Sequence, residues 1–162
     1  MRYYISAFIV LLFFTLFACE NYQSKSVIDE KIYPKDSILI YRDASIFGPD
    51  DLTWVNEGYV FYTKKKNFIH SVRVDFNLED TAVQNSFFHD SLKIAEMLIG
   101  HFRKKGIAHF AGQRSNMTDL RVYLYTEPDM NPLKLLSEFP LPCNGTIRED
   151  PGWDEYQALR NR

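Results

Sequence analysis

Between residues 68 and 78 the chain alternates with a period of two. Phe68, His70, Val72, Val74 and Phe76 point one way, and Ile69, Ser71, Arg73, Asp75 and Asn77 the other. Successive side chains of a strand project to opposite faces, so this pattern predicts a strand with one buried and one wetter face. The period then lengthens. Phe88, Leu92, Ala95, Ile99 and Phe102 recur at spacings of four and three, the apolar stripe of a helix over 86–105. Asn85 or Ser86 is placed to cap its start, and Lys104, Lys105 and Gly106 suit its end. Alternation returns in a strand pair, 107–111 and 120–126, joined by a polar loop over 112–119. In its second strand Leu120, Val122 and Leu124 interleave with Arg121, Tyr123 and Tyr125. Asn131 followed by Pro132 opens a short helix that runs to Glu138, and Pro140 and Pro142 stop it. Residues 143–148 make a last short strand. Asp150-Pro151 then repeats the cap-and-proline signal ahead of Trp153, Tyr156 and Leu159, spaced for a helical turn or two. Upstream, 37–41 and 59–63 read as strands, with turn chemistry over 47–51 and a hairpin connection at 64–67.

From Phe68 onward the order is strand, helix, strand, strand, helix, strand, which is the ferredoxin-like split βαβ pattern. The expectation is an α+β domain over residues 37–162. It has a ferredoxin-like antiparallel sheet, two preceding strands and a short C-terminal helix, with both main helices on one face. The helix side would carry Phe68, Val72, Val74, Phe76, Val122 and Leu124. The opposite side would carry Ile69, Arg73, Asp75, Arg121, Tyr123 and Tyr125.

Ahead of this domain the pattern is different. Arg2 is followed by a run from Tyr3 to Ala18 without a charge, rich in Phe, Leu, Ile and Val. A membrane-spanning helix needs about 20 apolar residues, and this run is shorter. A positive start, an apolar middle and a small residue before a cut are the parts of a secretion signal. Leu16-Phe17-Ala18-Cys19 resembles a bacterial lipobox, with Phe17 in place of the usual small residue. The resemblance implies removal of residues 1–18 and lipid attachment at Cys19, so that acyl chains hold the protein to a membrane. Glu20 follows the cysteine where an inner-membrane retention signal has Asp, which favours an outer-membrane address. Residues 19–36 are largely polar and read as a tether.

Composition narrows the chemistry. A net charge of −2 lacks the positive field that nucleic-acid backbones attract, so nucleic acid is not an expected partner. The two cysteines, Cys19 and Cys143, leave no disulfide framework once Cys19 carries lipid. The histidines His70, His89, His101 and His109 show no metal-ligand spacing, and neither a nucleophile elbow nor a phosphate-cradling glycine loop occurs; no metal, cofactor or catalytic set is expected. Arg73, Arg121, Tyr123 and Tyr125 are of the types that dominate interface energetics, and they share the side of the expected sheet away from the main helices, where they are candidates for binding a protein partner unless the N-terminal strands or the final helix cover that side. Asp150, Pro151, Trp153 and Tyr156 read as a structural lock for the terminal helix.

The stretch from Val72-Arg73-Val74-Asp75-Phe76 to Asp150-Pro151-Gly152-Trp153-Asp154-Glu155-Tyr156 resembles the bacterial domain of unknown function 695 family, whose members often end in a similar run after a split βαβ unit. The resemblance covers roughly the last hundred residues and implies a fold and no activity. The functional expectation is a lipid-anchored protein-binding or immunity-type regulatory module of the cell envelope. The competing classes are an envelope hydrolase using Cys143 or a histidine, and a structural envelope component.

Overall fold

The structure is a computed structural model that describes residues 33–43, 51–85 and 90–161. The leader, Cys19, nearly all of the tether, residues 47–50 of the turn, and Ser86, Phe88 and His89 of the predicted helix lie outside the described residues.

The domain is α+β, with a six-stranded antiparallel sheet and, among the described residues, four α-helices. The strands are β1 (Ile38–Asp43), β2 (Asp51–Asn56), β3 (His70–Asn77), β4 (Ala108–Ser115), β5 (Asp119–Thr126) and β6 (Asn144–Glu149). Their order across the sheet is β1-β2-β4-β5-β3-β6. The helices are α1 (Thr81–Asn85), α2 (Ser91–Arg103), α3 (Pro132–Ser137) and α4 (Asp154–Arg160). No described helix is long and apolar enough to cross a membrane.

The period-two stretch of β3 behaves as its pattern dictates. Val72, Val74 and Phe76 are buried beside Leu120, Val122 and Leu124 of β5, under Ile94, Ala95, Leu98 and Phe102 of α2 and Leu135 of α3. Asn131 caps α3 by accepting from Lys134 N–H, with Pro132 in the first turn. Asp90 caps α2 by accepting from Leu92 N–H at 3.0 Å. His101 Nε2 donates to Leu135 O at 2.9 Å and ties α2 to α3.

Four sequence expectations are corrected. Residues 59–63 are not a strand; the strand lies earlier, at β2, and Glu57–Tyr59 and Lys65–Asn67 are single 3-10 turns. Strand β4 continues to Ser115 through a bulge at Phe110/Gly112, so the polar loop shrinks to 116–118. The core face of α2 is set by Ile94, Ala95, Leu98 and Phe102, whereas Leu92 and Ile99 are only half-buried. Phe68, placed on the helix side by parity, is buried on the opposite side with Tyr59, Tyr125 and Trp153. It precedes β3, and a backbone of φ −128°, ψ 75° there breaks the alternation.

Candidate functional site

Of the two alternatives for the side of the sheet away from α2 and α3, open or covered, the structure has the covered one. The segment 57–68 and α4 cover its centre. Tyr125 is fully buried and Tyr123 is 6% exposed, which removes both tyrosines as free contact residues. The physical reason is the turn ahead of α4. Trp153 stacks on Tyr125, with ring centroids 4.0 Å apart and planes 10° from parallel, and its Nε1–H donates to Phe68 O (2.9 Å) and Lys65 O (3.1 Å). Tyr125 OH donates to Asp150 Oδ2 at 2.5 Å and accepts from Tyr156 N–H. The Asp150 carboxylate also accepts from Asp154 N–H (2.7 Å) and Glu155 N–H (2.9 Å). It thus caps α4 from upstream, and the helix starts at Asp154, not directly after the exposed Pro151. Tyr156 OH donates to Asn56 O at 3.1 Å. Burial, then the Asp150 carboxylate, holds the Tyr125 phenol far above its usual range; burial and Glu57 push Tyr156 up to about 12. Gly112 lets α4 approach, because a Cβ there would meet Leu159 and the Trp54 carbonyl.

Beyond this cover the same face carries arginines. Registered pairing puts Thr53, Arg114, Arg121, Asp75 and Asn144 in one row across β2, β4, β5, β3 and β6, with Arg73 in the next row beside Tyr123 and Thr146. Arg121 Nε donates to Asp75 Oδ1, and Arg73 Nε donates to Asp75 Oδ2 at 3.2 Å. Arg73 also donates to Thr146 Oγ1 at 3.4 Å. Arg114 stands directly opposite Arg121, and its buried Nε and Nη2 have no hydrogen-bond partner. Like charges facing each other across a strand pair are destabilising by themselves. Of the four sequence candidates, Arg73 and Arg121 therefore remain partly exposed, and Arg114, read as loop in the sequence, lies half-buried beside them.

The helix side holds a second feature. Helix α2 packs over β4 and β5, and among the described residues Ile38 and Ile40 of β1 stay exposed. Ile38, Trp54, Phe110 and Gln113 of the sheet and Leu92, Glu96, Ile99 and Arg103 of α2 enclose a groove of about 420 Å³ there, with Asp36 at its edge.

The reactive groups are placed as follows. His109 is fully buried against Tyr59, Tyr62 and Phe68, with Nδ1 3.3 Å from Tyr59 OH, and burial, then Arg103, lowers its pKa to about 3. Cys143 is half-buried against the helix-side core, and burial raises its thiol pKa. Among the described residues no cluster of three His, Cys, Asp or Glu side chains is placed to hold a metal ion.

Comparison with protein-family models, with curated proteins and with solved structures gives no match.

Proposed function

We propose that this chain is a lipid-anchored binding module of the bacterial envelope, which holds an acidic surface of a protein partner on the shelf formed by Arg73, Arg114 and Arg121. The observation that carries the reading is Arg114, set opposite Arg121 with two buried guanidinium nitrogens unpartnered. A guanidinium fork matches a carboxylate in two-point geometry, and a partner's Asp or Glu relieves both the repulsion and the missing bonds once the Arg114 side chain turns its covered nitrogens outward. Asp75 already neutralises one of the three charges, so the shelf presents a net positive patch on a chain of net charge −2.

The strand order β6-β3-β5-β4, with α2 and α3 as the two crossovers, supports a ferredoxin-like split βαβ unit extended by β2 and β1. The likeness to the domain of unknown function 695 family belongs to this reading, and so does an outer-membrane address through Cys19. The buried, neutral His109 and the raised Cys143 thiol favour binding over hydrolysis, since each is poorly suited to activate a nucleophile at neutral pH.

Two measurements test it. Mass spectrometry of the native protein should find an acylated N-terminus at Cys19, absent in Cys19→Ala; a native chain beginning at Met1 without fatty acid defeats the anchor. Co-purification from envelopes should recover a partner whose retention falls with salt and is lost in Arg114→Ala and Arg121→Ala. Equal, salt-insensitive recovery with all three proteins defeats the shelf.

A further inference from the structure

Two side-chain amides lie fully buried beside the β1–β2 extension, and their surroundings differ completely. Asn56 satisfies every donor and acceptor it has: Oδ1 accepts from Ser37 N–H (3.2 Å) and Gly58 N–H (3.1 Å), and Nδ2 donates to Asp36 Oδ1 (2.6 Å) and Phe110 O (3.2 Å). Gln113 is 0% exposed, and neither Oε1 nor Nε2 has a partner. Its registered neighbour on β2 is Trp54, whose buried Nε1–H is also unpartnered. Both line the groove beside α2. A buried amide left unsatisfied costs on the order of 1–3 kcal/mol, so two such side chains meeting in one hollow is not an arrangement that stability alone selects.

We infer that this groove is a binding site for a small, uncharged ligand that carries a secondary amide on an aliphatic body. The polar atoms define the head group. Gln113 offers one acceptor and a donor pair and Trp54 adds a donor, so the complement is a carbonyl oxygen together with an N–H, which is an amide. The walls define the rest: Ile38, Leu92, Ala95, Ile99 and Phe110 are apolar, and of the three charged residues in the lining Asp36 already accepts from Asn56 Nδ2, Arg103 Nε already donates to Ala108 O, and Glu96 is exposed. About 420 Å³ is the size of a small-molecule site, and a few convergent polar groups in an apolar lining are its usual composition. The groove opens on the opposite sheet face from the arginine shelf, so this site stands or falls independently of the proposed function.

The test uses the full chain in detergent micelles with nitrogen-15 in its two indoles, Trp54 and Trp153. The probe is N-acetyl-leucine methylamide, and the control is the oxygen analogue in which both amide N–H groups are replaced by ester oxygens. The Trp54 Nε1–H resonance should move saturably with the amide, while that of Trp153, already donating to Lys65 O and Phe68 O, should not. The ester analogue, Gln113→Leu and Trp54→Phe should each weaken binding about tenfold, the loss expected for one hydrogen-bonding group left unpaired. Gln113→Leu should also raise the urea midpoint, because it removes an unsatisfied buried amide. A stationary Trp54 resonance overturns the inference. So does equal response to amide and ester, and so does a Gln113→Leu protein that is less stable than the parent.

Discussion

Towards α2 and α3 the sheet presents Val72, Val74, Phe76, Leu120, Val122 and Leu124, and the helices answer with Ile94, Leu98, Phe102 and Leu135. Towards α4 it presents Tyr123, Tyr125 and Ala111, and the answer is Tyr59, Phe68, Trp153, Tyr156 and Leu159. Both layers exclude water, but by different physics. The first is mainly aliphatic, its contacts are non-directional, and several packings of similar volume suit it nearly as well. The second is aromatic and addressed by hydrogen bonds: the Trp153 indole to the 65–68 turn, the Tyr125 hydroxyl to Asp150, the Tyr156 hydroxyl to Asn56 O. It even holds Trp153 at φ 59°, ψ 41°, a left-handed conformation that costs a residue with a side chain about 1–3 kcal/mol and persists only where its surroundings over-determine it. Bulk burial builds one face, and specific placement closes the other. A seven-residue helix cannot hold itself on the sheet, and the lock ahead of it supplies what its length does not.

The sharpest way to break the contrast is to remove the centre of the lock. Trp153→Ala should cost about 3–5 kcal/mol, read as a lower urea midpoint with an unchanged slope. Phe102→Ala in the aliphatic layer should cost a similar amount. The two differ in what opens. Native-state hydrogen exchange should quicken selectively over 57–68 and 154–160 in Trp153→Ala, and those segments should show no such preference in Phe102→Ala. Identical exchange patterns would mean that the two layers unfold as one unit and that α4 needs no lock of its own.

A finer comparison changes chemistry at nearly constant volume. Tyr125→Phe removes the hydroxyl that joins Asp150 to Tyr156 N–H and should cost about 2 kcal/mol. Combined with Asp150→Asn it should show a coupling energy of about 0.5–3 kcal/mol, because the two groups share one network. Combined with Leu98→Ala, across the sheet, it should add to within about 0.5 kcal/mol. Additivity in the first pair, measured by urea unfolding, would reduce the lock to ordinary packing.

The difference between the layers also explains which parts of the structure were legible in the sequence. Helix-side residues announce themselves through period: β3 and β5 alternate from Val72 to Phe76 and from Leu120 to Leu124, and Asn131-Pro132 marks α3 by local capping chemistry. The lock is non-local. Nothing near Tyr125 in the chain shows that Asp150 will accept a hydrogen bond from its hydroxyl or that Trp153 will lie flat on its ring, so the sequence left open whether this side of the sheet is covered. The α2 stripe was misassigned for a related reason. Leu92 and Ile99 fit helical spacing as well as Ile94 and Leu98 do, and only the third dimension leaves the first pair half-buried along the groove, with Ile99 also touching the core, while the second pair is fully buried. Arg73 and Arg121 were found because alternation gives a strand residue its face. Arg114 and Gln113 were hidden because a bulge carries β4 on through what reads as a polar loop, and Trp54 because β2 was placed eight residues too late.

The smallest expected effect follows from the polar character of the α4 side and concerns His109. Its imidazole is enclosed by Tyr59, Tyr62 and Phe68, and its folded pKa is lowered from 6.5 to about 3, first by burial and then by Arg103. The folded state therefore holds this ring neutral at pH values where the unfolded chain protonates it. Stability from the neutral ring is fully present above 6.5 and is lost as pH falls from 6.5 towards 3, with no further loss below that. Each pH unit inside the window is worth about 1.4 kcal/mol for one proton. Between pH 7.5 and 5.5 the parent should lose about 1.4 kcal/mol on this account, since only the lower unit of that interval lies below the unfolded pKa. His109→Phe, which keeps an aromatic ring among the tyrosines, should lose that much less over the same interval, as read from paired urea midpoints. The remaining histidines, His70 and His101 on the helix side and His89 outside the described residues, are present in both proteins and cancel in the difference. A His109→Phe protein with the parent's full pH sensitivity would show that the ring is charged in the fold, and the sealed aromatic layer would then have to admit water beside it.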